Sequence, residues 1–386
     1  MLIADTSVNR IRLIRGGAGY FQELIESIDA AKESIHLQTY IFSADETGVL
    51  VASALKQAAL RGIEVHLLVD GYASQALPET FIQDLTNHNI RFRFFEPVFR
   101  SRNFYFGRRL HHKVFVADAA IALVGGINIS NHYNDLPGKP AWLDYALRVE
   151  GPAAAALCEL CWKSWNGFPG SKTSATCHVI TGKEGNNSDP EARIRMRRND
   201  WVRRKNEISR SYIELLRTAE KEVTIVSSYF IPGRVLRRNL AHAAARGVNV
   251  RVVLAGMSDV KLAKQAERFM YDWLLRKGIR IYEYRDTILH AKLALCDTGW
   301  FTIGSYNVNN ISAYASVELN LDCISETSGK MVKDMMDSLI ADHCNEVTTA
   351  VLESHKNLFS KLAHWLSYQF FRMVFYLFTF YFKQQN

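Results

Sequence analysis

Two short stretches of this 386-residue chain carry the same reactive side chains at the same spacing. The first reads His111, His112, Lys113, four residues, Asp118, six residues, then Gly125-Gly126-Ile127-Asn128. The second reads His290, Ala291, Lys292, then Asp297, then Gly304-Ser305-Tyr306-Asn307, with every gap identical. Both HHKVFVAD and HAKLALCD have strand character, and in a strand residues i and i+2 point to the same face, so His and Lys of each copy emerge side by side. The Asn that follows, in the GGIN or GSYN turn, would come from an adjoining strand and add an uncharged donor beside the ammonium. Two lysines and two asparagines can together stabilise the oxygens of a phosphodiester as the phosphorus becomes five-coordinate. Imidazole is a nucleophile when neutral and a proton donor when charged. One His would attack phosphorus to give a phosphohistidine, while the other protonates the leaving alkoxide and then deprotonates the incoming hydroxyl. Neither a metal nor another cofactor is required on this reading.

A catalytic His needs a partner that fixes its tautomer and orientation. Glu318 lies 28 residues after His290 in SVELNLDC, and Asp144 lies 33 after His111 in WLDYALRVE. Each stands in a strand-like segment that could return beside the His of its own copy; a structural surface carboxylate is the alternative for either. Asp118 and Asp297 complete the motifs at strand ends, where an Asp is expected to bind turn backbone rather than to do chemistry. His112 should face away from His111 and be packed or exposed. Asp70, in LLVDGY, has Ala255 as its counterpart and reads as a loop carboxylate.

The elements that position these residues are themselves duplicated. KESIHLQTY (32–40) matches KEVTIVSSY (221–229), Arg61-Gly62-Ile63 matches Arg246-Gly247-Val248, and NIRFRFFE from Asn89 parallels GIRIYEYR from Gly278. In each half, helix-spaced apolar residues such as Phe21, Leu24, Ile25 and Ile28 precede a β-rich run, followed by another helix and a buried strand. This alternation predicts an α/β architecture in which helices cover a largely parallel or mixed sheet. Gly, Ser, Asn and Pro break the pattern from Asn166 to about Asp200, a linker between halves that ends in a run of Arg and Lys through 205. That run suits a solvated helix face or a phosphate-binding role equally. The predicted organisation is a first lobe at 1–170, a linker at 171–205, a second lobe at 206–350 and a C-terminal segment at 351–386.

The 47 Lys and Arg exceed the 39 Asp and Glu, and the net charge of +8 favours anionic partners: nucleic acid, phospholipid headgroups or phosphate esters. The six cysteines are too sparse for a disulfide-framed secreted domain, which points to a reducing compartment. Cys158 and Cys161 form a C-x-x-C pair without a second ligand pair at zinc-finger spacing, so no metal is expected there. The first fifteen residues mix acidic and basic side chains without a continuous apolar run and do not form a signal peptide.

The paired motif resembles that of the phospholipase D superfamily. The resemblance implies two pseudo-symmetric lobes with one active site at the lobe interface and a phosphohistidine mechanism. FQELIESIDAAKESIHLQTYIF near the start, RVEGPAA after the first motif, and ARGVNVRVVLAG with SSYFIPG in the second half are similar to the bacterial cardiolipin synthase branch, in its short form without N-terminal membrane-spanning segments. The resemblance covers roughly residues 10–350. It implies transfer of a phosphatidyl group between two phosphatidylglycerol molecules, giving cardiolipin and glycerol. His111 would be the nucleophile and His290 the acid/base, with the reverse left open by the pseudo-symmetry. Lys113, Lys292, Asn128 and Asn307 would hold the phosphate. Gly126, where the second copy has Ser305, puts a hydroxyl contact in doubt. Hydrolysis of phosphodiesters, in lipid or nucleic acid, is the alternative, although nucleic acid is not the expected partner.

From Lys356 onward the chain has four basic residues, no acidic ones and eleven aromatics. This suits a helix lying in the headgroup region of an anionic phospholipid membrane, peripheral and on the cytoplasmic side, rather than a span, because Arg372 would be costly in hydrocarbon. Packing onto the protein's own core is the alternative. The loop Phe99–Arg109, rich in Arg and aromatics, could grip headgroups or stack single-stranded bases.

Overall fold

The computed structural model describes residues 8–96, 108–167, 177, 189–309, 312, 316–354 and 362–373. All but the last two residues of the arginine-rich loop Phe99–Arg109, and much of the C-terminal segment, lie outside the described residues. The chain divides into two compact units. The first comprises residues 1–196 with 303–305 and 317–324; the second holds the remainder.

The first unit contains β1 (Val8–Arg15), α1 (Ala18–Ala30), β2 (Ser34–Thr39), α2 (Glu46–Leu60), β3 (Glu64–Asp70), α3 (Glu79–Asn87) and β4 (Arg91–Phe95). It continues with β5 (Arg109–Leu110), β6 (Lys113–Ala117), β7 (Ile121–Gly125), β8 (Tyr145–Glu150), α4 (Pro152–Trp165) and the start of β9 (Glu191–Asp200). Its sheet runs β4-β3-β2-β6-β7-β8-β1-β9. Pairing is parallel across β2, β3 and β4, joined by helical crossovers, and antiparallel elsewhere. The sheet is therefore mixed, as the alternation predicted. Phe21, Leu24 and Ile28 of α1 and Val51 and Leu55 of α2 are buried in one core with Ile35, Leu37, Val65 and Leu67. Burial of side chains along both faces of β2 and β3 explains why those strands read as continuous apolar runs.

The second unit repeats this plan with β10 (Lys205–Asn206), α5 (Glu207–Thr218), β11 (Glu222–Ser227), α6 (Arg234–Ala245), β12 (Asn249–Ala255), α7 (Lys261–Phe269), α8 (Tyr271–Arg276), β13 (Arg280–Tyr284) and β14 (Lys292–Cys296). The chain then runs through β15 (Trp300–Gly304), whose end belongs to the first unit, and β16 (Ser316–Ile324), which belongs to the first unit from Val317 on, before the helix Glu326–His343, β17 (Cys344–Val347) and the helix Thr349–Ser354 of the second. Here the sheet order is β17-β13-β12-β11-β14, parallel across β11, β12 and β13. The repeated Arg-Gly pairs end equivalent helices. Gly62 and Gly247 share φ 89°, a conformation that favours glycine. Arg61 donates to the Ile28 carbonyl, and Arg246 to those of Leu216 and Ala219.

Two expectations are corrected. The basic run through 205 is strand β9, a short 3-10 turn and β10 rather than a helix face. Cys158 is joined to Cys177 by a disulfide, whereas a reducing environment had been expected; Cys161, Cys296, Cys323 and Cys344 are free and buried.

Candidate active site

The first motif enters β6 through His111 and His112, whose backbone N–H groups both donate to the Val317 carbonyl on β16. Val317 to Ile324 belong to the first unit, so a strand from the second copy of the repeat completes the surroundings of the first histidine. Glu318, fully buried, accepts from Nδ1 of His111 at 2.9 Å. It also accepts from Oγ of Ser305 at 2.5 Å. Burial pushes the Glu318 carboxyl up, but the facing His111, with Lys113 and Ser305, outweighs it and holds the group below the usual range. This is the carboxylate–imidazole arrangement that fixes a ring's tautomer and leaves Nε2 available for chemistry. The expected pairing is corrected: Glu318 meets His111, 207 positions away in sequence, because β16 pairs with β5.

Asp144 lies just before β8, where its Oδ1 accepts from the N–H of Tyr145 at 2.8 Å. A Cβ on Gly126 would collide with the Asp144 carboxylate. Gly126 and Ser305 are equivalent positions, so the departure noted between the motifs has a physical account. The Ser305 hydroxyl binds the Glu318 carboxylate; at the other position glycine leaves room for the carboxylate of Asp144.

Lys113 donates to the His111 carbonyl at 2.6 Å, and its ammonium lies 5.2 Å from the centre of the Tyr40 ring. In the second unit Lys292 lies 2.8 Å from Nδ1 of His290, binds the His290 carbonyl, and donates to Oγ of Ser228 at 3.1 Å. Ser228 in turn donates to Oδ1 of Asn307 at 3.1 Å. Asn128 accepts from the N–H of Ile41 and donates to the hydroxyl of Tyr133. Each His and Lys of a motif are thus neighbours, as the strand alternation required.

Asp118 and Asp297 play one structural part. Asp118 accepts from the N–H groups of Lys32, Glu33 and Ser34, and Asp297 from those of Glu220, Lys221 and Glu222. Both lock the backbone entering the adjacent strand, β2 or β11, and both have left-handed φ, 53° and 52°. His112 is buried and bonds Gln38 at 2.9 Å, a packing role.

Two contributors were not legible in the sequence. Asp70 is buried and accepts from the N–H groups of Tyr72, Ala73 and Leu110, the last adjacent to His111. Burial raises its pKa against those three bonds. Tyr40 packs edge-on against His111 with ring centres 4.8 Å apart, and burial followed by the Asp70 charge pushes its phenol up to about 12. The only signal for Tyr40 was its place in the repeat, opposite Tyr229; Asp70 had none. Among the described residues no His, Cys, Asp and Glu cluster could hold a metal ion.

Comparison with known proteins places these features in context. The family model described as "Cardiolipin synthase, PLD-like domain" matches residues 24–138 and 212–356, spanning both motifs. The chain is 34% identical over 348 residues to cardiolipin synthase B of Salmonella typhi, covering 89% of this chain and 83% of that protein. It is 32% identical, with the same coverage, to cardiolipin synthase B of Escherichia coli K12. Among solved structures, phosphatidylserine synthase of Haemophilus influenzae superposes with a TM-score of 0.70 at 14% identity, covering 97% of this chain and 94% of that one, a likeness of fold.

Proposed function

Since the chain belongs to the cardiolipin synthase, phospholipase D-like family, we propose that it is a phosphatidyltransferase that makes cardiolipin and glycerol from two molecules of phosphatidylglycerol. The observation that carries this reading is the buried Glu318 carboxylate holding Nδ1 of His111 at 2.9 Å within a duplicated His-x-Lys motif. In the proposed reaction Nε2 of His111 attacks the donor phosphorus and the bond from phosphorus to the glycerol oxygen breaks. His290 gives the departing alkoxide its proton. His290 then takes the proton of an acceptor hydroxyl, whose oxygen attacks phosphorus and releases the imidazole. Lys113, Lys292, Asn128 and Asn307 stabilise the phosphoryl oxygens. Glu318 and Asp144 serve as positioning carboxylates, and Asp118 and Asp297 hold the strands.

We place this chemistry at a membrane surface, with anionic phospholipid as partner. The described C-terminal helix, residues 362–373, supports it. Its Tyr368 stacks on Phe269 at 4.7 Å and joins the core, and Ser367 bonds Gln265. Leu362, Trp365, Leu366, Phe370 and Met373 remain exposed. One face packs on the protein, and the other offers an apolar stripe to the headgroup region. Among the described residues no helix is long and apolar enough to cross a membrane.

The test is to incubate the protein with phosphatidylglycerol, with and without chelator, and to identify the lipid products by mass. Cardiolipin with stoichiometric glycerol is expected, and loss of both in His111→Ala and in His290→Ala. Phosphatidic acid as the sole product would replace transfer by hydrolysis, and cleavage of single-stranded DNA without lipid would replace both.

A further inference from the structure

A cavity of about 990 Å³ opens in the second unit beside the C-terminal helix, and no residue of either motif lines it. Its wall carries Arg237 of α6, Arg268 of α7, Arg276 of α8, and His364 and Trp365 of the 362–373 helix. Three carboxylates also line it, and each has a cation of its own. Asp272 holds Arg276 at 2.8 Å, Glu283 holds Lys264 at 2.7 Å, and Glu346 holds Arg280 at 3.1 Å. Lys264 additionally binds Glu267, whose acid is held above its usual range by burial.

Two guanidiniums are less completely matched among the described residues. Nε of Arg237 is buried without a hydrogen-bond partner among the described residues. Among the described residues Arg268 pairs only with Glu283, at 3.5 Å, on an oxygen that Lys264 already occupies. A buried donor without a partner is unfavourable, so a cavity retaining one is suited to an acceptor from outside. Planar guanidiniums match phosphate oxygens in a bidentate way. The rim supplies Phe269, Val351 and Trp365, apolar surface beside the cationic wall. Guanidiniums beside exposed apolar side chains and a half-exposed amphipathic helix fit a charged headgroup whose acyl chains stay in the bilayer.

We infer that this cavity is a second lipid site, in which Arg237 and Arg268 bind the phosphodiester of an anionic glycerophospholipid in the membrane on which the 362–373 helix lies. The inference rests on the membrane-surface reading above. The test measures partition of the full chain onto vesicles of equal parts phosphatidylglycerol and phosphatidylcholine, and onto pure phosphatidylcholine. Removal of one guanidinium should weaken partition onto the anionic vesicles about fivefold in Arg237→Gln and roughly 25-fold when Arg268→Gln is added. Partition onto phosphatidylcholine should not change, nor should turnover of monomeric dihexanoyl-phosphatidylglycerol, which also reports that the variants fold. Arg238→Gln, an exposed neighbour outside the cavity, is the control for diffuse attraction. An equal loss in Arg238→Gln, or none in the double variant, overturns the site while leaving the surface reading intact. A wild-type chain that binds neither vesicle overturns both. Release by inorganic phosphate at matched ionic strength would make this a free-phosphate site and overturn the lipid assignment.

Discussion

Replacing Glu318 by Gln removes one negative charge from a fully buried position while keeping the shape of the side chain and an acceptor for one donor. In the proposed reaction, positive charge develops on the His111 ring as its Nε2 bonds to phosphorus, and its Nδ1 lies 2.9 Å from the carboxylate. A full charge at that separation would be stabilised by about 6 kcal/mol at an effective dielectric of about 20. Spreading the charge over the imidazole roughly halves this, and the amide still offers a neutral hydrogen bond. The expected loss of transition-state stabilisation is therefore about 3 kcal/mol, or roughly 10²-fold in kcat/KM. The assay is glycerol release from a short-chain phosphatidylglycerol, well below the unfolding temperature of the variant. Its thermal unfolding is followed in parallel, because Lys113 also loses an anionic neighbour. Activity within threefold of wild type in a folded Glu318→Gln protein would refute the role assigned to this carboxylate.

Other substitutions probe the supports of the site. Ser305→Ala removes the hydroxyl bond to Glu318 and should cost about 1.5–3 kcal/mol of stability in urea titration. Gly126→Ala drives a methyl group into the Asp144 carboxylate and should lower glycerol release from phosphatidylglycerol; a silent Gly126→Ala would contradict the close approach. Asp70→Ala frees three backbone donors, including that of Leu110. It should reduce turnover while vesicle binding persists, as measured on the same preparation. The buried His36 stacks on His66 at 4.8 Å, and its ring nitrogens have no partner among the described residues. Burial, then the neighbouring His66, pushes its pKa down to about 3. Below about pH 6.5 the unfolded chain takes up a proton here that the folded one refuses, so stability falls by about 1.4 kcal/mol per pH unit from about pH 6.5 down toward 3. Urea midpoints at pH 7 and pH 5 should therefore separate for wild type and separate less in His36→Gln, the remainder coming from His66, which burial and then Arg91 push down to about 4. An unchanged separation would place the acid sensitivity elsewhere.

Local pattern carried much of this protein. The doubled gap from His to Lys to Asp to Asn, the strand alternation that sets each His beside its Lys, and the repeated Arg-Gly helix ends are all short-range features, and they could be read because periodicity and turn chemistry act between near neighbours. The side of the strand taken by His112 and the backbone-binding part of Asp118 and Asp297 were legible for the same reason. Tertiary structure decided which carboxylate meets which imidazole: Glu318 follows His290 by 28 residues yet bonds His111, since β16 joins the first unit. It also decided that Asp70 tethers Leu110 and that Nε of Arg237 is buried without a hydrogen-bond partner among the described residues. Each of these depends on contacts between segments far apart in the chain, and spacing along a sequence has no means of recording which distant strand or helix will lie alongside.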